Sequence, residues 1–276
     1  MTRELLHCCH VENNHTFSEL LKICAKRKDL TEGIRLHDDI LKRGLLQKSP
    51  YLASILITLY SKCGLLAKSQ EVHEELIVRN AVSWSALISA YAREARGHEA
   101  LNCFERMQKD GFLPDVISFI SALKACSNMR SIDKGRQIHD DIISRHLLEK
   151  DIMLGNALVD MYTKCGVIDK AEQVLEELPI RNTVSWNVLI GGYAERDQGQ
   201  EALNCYAQMQ SEGLSPDEVT LLFVLKACAS IQNIEIGKQV HDDIVSKGLL
   251  KTDIVLGNVL VDMYAKCSAL VEAQQV

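Results

Sequence analysis

Three copies of the tetrapeptide HDDI stand at His37–Ile40, His139–Ile142 and His241–Ile244. A histidine beside two carboxylates has the groups needed to hold a divalent cation or to move protons. The spacing argues against both. A metal needs its ligands to converge within about 2–2.5 Å, and adjacent residues on a helix point in different directions. One copy alone is a weak ligand set, and the copies are 102 residues apart. His73-Glu74-Glu75 contains the His-x-Glu fragment of the zinc deaminase signature, but no Cys-x-x-Cys pair follows it. Neither a metal centre, a cofactor nor an enzyme is expected. The tetrapeptide is expected on a helix, with Ile138 and Ile142 facing the core and the histidine and aspartates toward the edge.

The interval between copies is the more informative feature. Cys24, Cys126 and Cys228 return every 102 residues, as do Cys63, Cys165 and Cys267. A cysteine that returns at a fixed period fills a repeated slot as a small hydrophobe rather than forming a disulfide framework. "SWSALISAYAR" (83–93) returns as "SWNVLIGGYAE" (185–195), also after 102 residues. That period subdivides. Segments 14–49, 50–80 and 81–115 are followed by 116–151, 152–182 and 183–217, with lengths of 36, 31 and 35 residues in each round. A third round begins with 218–253 and continues as a partial segment, 254–276. Residues 1–13 precede the first segment as an N-terminal extension.

Each segment reads as two helices. In 81–115, Trp84, Leu87, Ile88, Tyr91 and Ala92 recur at i, i+3, i+4, i+7 and i+8, the stripe of an amphipathic helix. Gly97 interrupts the pattern, and Ala100, Leu101, Phe104 and Met107 form a second stripe. Gly111 and Pro114 then end it. Sustained strand alternation is absent. A hairpin of this size buries little apolar surface alone, so neighbours must stack into one continuous core. The expected fold is all-α, an α-solenoid of about eight hairpins over residues 14–276.

Charge narrows the function. Asp and Glu number 37 against 31 Lys and Arg, a net charge of -6, which disfavours a chain coated in positive charge for non-specific binding. No run of about 18 apolar residues is present, so neither a membrane span nor a membrane partner is expected.

Motif lengths, order and signature residues together resemble the pentatricopeptide repeat proteins of plants, whose long, short and standard motifs rotate in this way. "VISFISALKACSNMRSIDKGRQIHDDIISRHLLEKD" (116–151) resembles a long motif, "GNALVDMYTKCGVIDKAEQVLEELPIRN" (155–182) a short one and "TVSWNVLIGGYAERDQGQEALNCYAQMQSEGLSPD" (183–217) a standard one. The resemblance implies a right-handed superhelix of helix-turn-helix repeats that binds single-stranded organellar RNA, one base per repeat. It also implies residence in a mitochondrion or chloroplast, and editing or processing proteins as further partners. The C-terminal editing domain of many relatives is absent from this chain.

By that resemblance the fifth and last residues of a motif read the base. These are Ser54 and Asn80, Ser85 and Asp115, Asn156 and Asn182, and Asn187 and Asp217, with Asn258 alone in the partial motif. Asn offers a donor and an acceptor from one planar amide, and Ser a shorter hydroxyl. The family's preferences then imply a core resembling 5′-A-G-n-(C/U)-U-n-3′, where n faces a long motif. The long-motif fifth residues are Ser18, Ile120 and Leu222, two of them unable to donate or accept. The second position, implied to clamp the base, holds Tyr51, Val82, Met153, Val184 and Val255, and in long motifs Ile117 and Val219. Inter-repeat packing is the simpler account of those side chains. Lys62, Arg93, Lys164 and Lys266 stand at the thirteenth position, with Lys124 and Lys226 at the ninth of two long motifs. They form a candidate stripe of phosphate contacts, interrupted by Glu195.

The competing reading is a protein-interaction scaffold of the tetratricopeptide kind, which the acidic balance favours. Such a scaffold has no need of Asn or Ser at fifth positions, nor of Asn or Asp at last ones. The stop at Val276 inside a motif implies an uncapped apolar hairpin face and, through it, self-association.

Overall fold

The computed structural model describes residues 16–251 and 253–276. The N-terminal extension expected over residues 1–13 lies outside them. Every regular element among the described residues is helical. By compactness the chain divides into Met1–Ile138 and His139–Val276. The first unit contains α1 (residues 16–27), α2 (Leu30–Lys42), α3 (Pro50–Lys62), α4 (Leu66–Glu74), α5 (Ala81–Arg93), α6 (Gly97–Lys109) and α7 (Val116–Met129). The division falls within α8 (Ile132–Ser144). The second unit continues with α9 (Ile152–Lys164), α10 (Ile168–Glu177), α11 (Thr183–Ala194), α12 (Gly199–Ser211) and α13 (Glu218–Ile231). It closes with α14 (Ile234–Ser246), a 3₁₀ turn at Leu249–Lys251, α15 (Ile254–Lys266) and α16 (Leu270–Gln275).

Within each unit, first helices pack on their own second helix and on the next first helix. In the first unit α3 lies against α4 and α5, and α5 against α6 and α7. In the second, α9 lies against α10 and α11, α11 against α12 and α13, and α13 against α14 and α15. This is the stacked-hairpin arrangement expected from the two stripes per segment. The stripe residues make the core: Trp84, Leu87, Ile88, Tyr91, Ala92, Ala100, Leu101, Phe104 and Met107 are all buried. Gly97 opens α6, and a Cβ there would meet the Met129 side chain of α7 at 2.4 Å. After α6, Gly111 takes φ +81°, a left-handed conformation that glycine adopts without steric cost.

The cysteine expectation holds among the described residues. Cys24, Cys103, Cys126, Cys205 and Cys228 are buried free thiols. Burial pushes the Cys103 thiol up to about 11 and the Cys205 thiol to about 12, so both stay protonated and unreactive.

The histidine of HDDI is not at the edge. His37 and His139 are buried, while Asp38 and Asp140 are exposed. Each ring turns inward because a tyrosine of the following hairpin receives it. The Nδ1 atoms of His37, His139 and His241 each lie 2.8 Å from the hydroxyls of Tyr60, Tyr162 and Tyr264. The partners are 23 residues away in every copy. HDDI is therefore one half of a joint between consecutive hairpins. Burial lowers the pKa of His37 and His139 and keeps them neutral.

Candidate functional site

The residues that begin the first helices also build the site. Asn80, Asp115, Asn182 and Asp217 are the N-caps of α5, α7, α11 and α13, and each accepts a hydrogen bond from the backbone N–H of the third helical residue. That third residue is Ser83, Ser118, Ser185 or Thr220, whose hydroxyl lies beside the cap. Ser, Thr, Asn and Asp are preferred here because a short polar side chain satisfies amides that the helix leaves without partners. Asn or Asp at the last position of a motif therefore has a folding role of its own. Its presence does not separate an RNA reader from a scaffold, contrary to the expectation from sequence.

The fifth residues reach across to these caps. Asn187 Nδ2 donates to Asp217 Oδ1 at 2.9 Å, and Thr220 Oγ1 donates to Asn187 Oδ1 at 2.6 Å. In α5, Ser85 Oγ is 2.9 Å from Asp115 Oδ1 and 2.7 Å from Ser118 Oγ. Asn156 is joined to Asn182 indirectly, since Ser185 Oγ lies 2.6 Å from Asn156 Oδ1 and 3.0 Å from Asn182 Oδ1. Three of the four expected pairs are thus brought together. Ser54 and Asn80 are not: Ser54 Oγ donates to the Tyr51 carbonyl, and Asn80 keeps to its capping box with Ser83. Asn258 is exposed on α15.

The sequence reading missed the bridging hydroxyls of Ser118, Ser185 and Thr220. A Ser or Thr three residues after an Asn or Asp is the signal that would have found them. Where a long motif ends, the third helical residue is instead Leu52, Leu154 or Leu256, each fully buried. Ser49, Asp151 and Asp253 cap those helices without a bridging hydroxyl.

In Asp115, Oδ1 accepts from Ser85, Ser118 N–H and Ser118 Oγ; in Asp217, Oδ1 accepts from Asn187, Thr220 N–H and Thr220 Oγ1. Burial alone raises the Asp217 pKa, but hydrogen bonds from Thr220 and Asn187 outweigh it and hold the carboxyl below its ordinary value. At neutral pH it is ionised and can only accept.

The second-position side chains are not packed between repeats. Tyr51, Val82 and Ile117 in the first unit are 47–58 % exposed, and Met153, Val184, Val219 and Val255 in the second are 49–63 % exposed. Val184 and Val219 border a cavity of about 360 Å³ that Asn187 and Asp217 also line. Two apolar side chains thus flank a hydrogen-bonding pair in a space large enough for a planar heterocycle.

The cations divide. Lys62, Arg93 and Lys124 are exposed, and Arg93 donates to Ser61 Oγ at 3.2 Å. Lys164 and Lys266 are each held by an aspartate one turn earlier, Asp160 and Asp262, at 2.9 Å. Both pairs are largely solvated, so their own stability contribution is small. They nevertheless offset two of the six cations of the expected positive stripe. Among the described residues there is no group of three metal-ligating side chains and no helix long and apolar enough to cross a membrane.

A PPR repeat family model matches residues 79–128 and 181–230, and a PPR repeat model matches 52–80 and 156–182. A chloroplastic pentatricopeptide repeat-containing protein of Arabidopsis thaliana is 32% identical over 272 residues, covering 99% of this chain and 44% of the relative. A second pentatricopeptide repeat-containing protein of Arabidopsis thaliana is 35% identical over 290 residues, covering 94% and 41%. A mitochondrial one is 32% identical over 261 residues, covering 95% and 25%. The chain spans less than half the length of each of these relatives. The crystal structure of the pentatricopeptide repeat protein PPR10 from maize superposes with a TM-score of 0.73 at 23% identity, over 94% of this chain and 37% of that one. PPR10 in complex with an 18-nt psaJ RNA element gives 0.72 at 19% identity, over 88% and 36%. At those identities the likeness to PPR10 is one of fold.

Proposed function

The chain belongs to the pentatricopeptide repeat family, and from that premise we propose that it binds single-stranded RNA in a mitochondrion or chloroplast, reading one base in each short or standard motif. The observation that carries this is the pocket at α11 and α13. Asn187 and Asp217 are hydrogen-bonded to each other between the exposed side chains of Val184 and Val219. Apolar side chains on either side meet the faces of a base, and the polar pair meets its Watson–Crick edge.

Donor and acceptor chemistry supports the assignment of bases. Uracil and guanine carry an imino N–H on that edge, whereas cytosine and adenine carry a bare imino nitrogen. An ionised Asp217 accepts only, so it selects the first two bases, and Asp115 holds the same place in its own motif. The amides of Asn80 and Asn182 can also donate, which suits the other two. Taking the motifs in chain order gives the core 5′-A-G-n-(C/U)-U-n-3′. The role of the chain is to recognise a site within organellar RNA processing; its residues supply binding, and the chemistry belongs to partners.

Anisotropy titrations with single-stranded RNA at fixed ionic strength test this. The RNA holding this core should bind about tenfold or more tightly than a scrambled RNA, each mismatch costing on the order of 1–3 kcal/mol in base-specific interfaces. Equal affinity would reject the base assignments. Absence of binding to either RNA would reject the function and leave the interaction scaffold, which the acidic balance favours.

The paired lysines supply a further expectation. Asp160→Asn releases Lys164 from its acidic neighbour and should tighten binding several-fold. If Lys164 then neutralises a phosphate, the slope of log K against log salt should steepen by about 0.7. An unchanged slope would remove Lys164 from the phosphate contacts.

A further inference from the structure

We propose that Phe223, at the sixth position of a long motif, is an aromatic wall for the base facing Asn187 and makes this pocket the affinity anchor of the chain. The inference rests on the RNA-binding reading and adds to it a residue that neither hydrogen-bonds to a base edge nor stands at a motif's second position.

Three observations carry it. First, the cavity between Val184 and Val219 is lined by Phe223 of α13 and by Gly191 of α11. Second, Gly191 is what lets the ring lie there: a Cβ at that position would come within 2.7 Å of Phe223 Cε2 and Cζ. Third, Lys226 Nζ stands 5.7 Å from the centroid of the Phe223 ring. Stacked aromatic and cationic groups are the pairing that holds a nucleotide by its base and its phosphate together.

The matching pocket one round earlier is built differently. The residues 102 positions before Gly191 and Phe223 are Ser89 and Ser121. Their hydroxyls lie 2.9 Å apart and close the space between α5 and α7 with a hydrogen bond. The Ser85–Asp115 pair therefore reads its base without an aromatic neighbour, while the Asn187–Asp217 pair has one. The long motif 218–253 is then more than a spacer, because it lends its first helix to the pocket of the motif before it.

The test is a double-mutant cycle between protein and RNA. An abasic nucleotide is placed opposite Asn187 or opposite Ser85 in the predicted core, and affinity is measured for the intact chain and for Phe223→Ser and Phe223→Leu. The abasic site opposite Asn187 should weaken binding by about 5- to 100-fold, the range of base–aromatic stacking, and more than the site opposite Ser85. Phe223→Ser should weaken binding to the intact core by a similar factor, with Phe223→Leu between, and neither should affect the RNA that is abasic opposite Asn187. Equal losses at the two abasic positions, or a Phe223→Ser loss that persists on the abasic RNA, would overturn the anchor while leaving RNA binding intact. If the intact chain binds no core RNA, the RNA reading and the anchor fall together.

Discussion

Asn187→Ser is expected to move the preference at one base from uracil to guanine, with the change in discrimination on the order of 10- to 100-fold. The scale is that of a well-made side-chain-to-base contact, about 1–3 kcal/mol. The structure already holds the product of this exchange. Ser85 donates to Asp115 Oδ1 at 2.9 Å and meets Ser118 at 2.7 Å, so a serine at 187 can make the same bonds with Asp217 and Thr220. Thr220 loses the Asn187 carbonyl but keeps Asp217 Oδ1 at 2.9 Å as its acceptor. The fold is little disturbed, and the pocket deepens by the length of an amide. A purine fills that depth, and Asp217 still demands an imino N–H, which among purines only guanine carries. Competition titrations with the core varied at that single base measure the result. An unchanged order of bases would show that Asn187 does not read.

The second large effect is on stability in acid. His73 of α4 is 2 % exposed, packs against Trp84 with ring centroids 4.3 Å apart and the rings tilted by 58°, and has no partner at Nε2 among the described residues. Burial, reinforced by Arg79 and Arg106, lowers its pKa to about 4. The unfolded chain takes up a proton near the ordinary value of 6.5, and the folded chain does not until about 4. Stability contributed at neutral pH is therefore lost as pH falls from about 6.5 to about 4, amounting to about 3 kcal/mol across that window. His37 and His139, also lowered by burial, add loss of the same sign. Leucine stands 102 positions later, at Leu175, and is buried there. His73→Leu should match the parent or exceed it at neutral pH and keep most of that 3 kcal/mol in acid. Urea unfolding at a series of pH values reads the difference. Parallel curves for the two proteins would show that His73 is protonated in the folded chain.

The stripes of 81–115 were legible because a buried helix face recurs at a spacing that any reader can count. Trp84, Ile88 and Tyr91 needed no knowledge of their partners. The histidines of HDDI did. Nothing within α2 says that His37 turns inward, since the tyrosine that receives it lies in the next hairpin. The candidate pairs of the site came from motif position; two of the four are in direct contact and a third is bridged by Ser185. The hydroxyls of Ser118 and Thr220 were missed because the cap and the reader were treated as separate questions. Phe223 stayed hidden for a related reason. Its role depends on the absence of a side chain at Gly191, on a different helix, and periodicity records what is present in a stripe.

The capping bonds bear on how such a chain can change its target. A residue free to vary for recognition alone could be any of twenty. Asn80, Asp115, Asn182 and Asp217 must also start a helix, which confines them to the few side chains that cap well, at a loss of about 0.5–2 kcal/mol for leaving that set. Asn and Asp are nearly the same size and differ in whether they can donate. On the RNA-binding proposal, a single exchange between them would switch the imino group accepted while the helix start survives. New specificities would then be reachable one substitution at a time without passing through an unfolded intermediate, in an alphabet limited by helix chemistry.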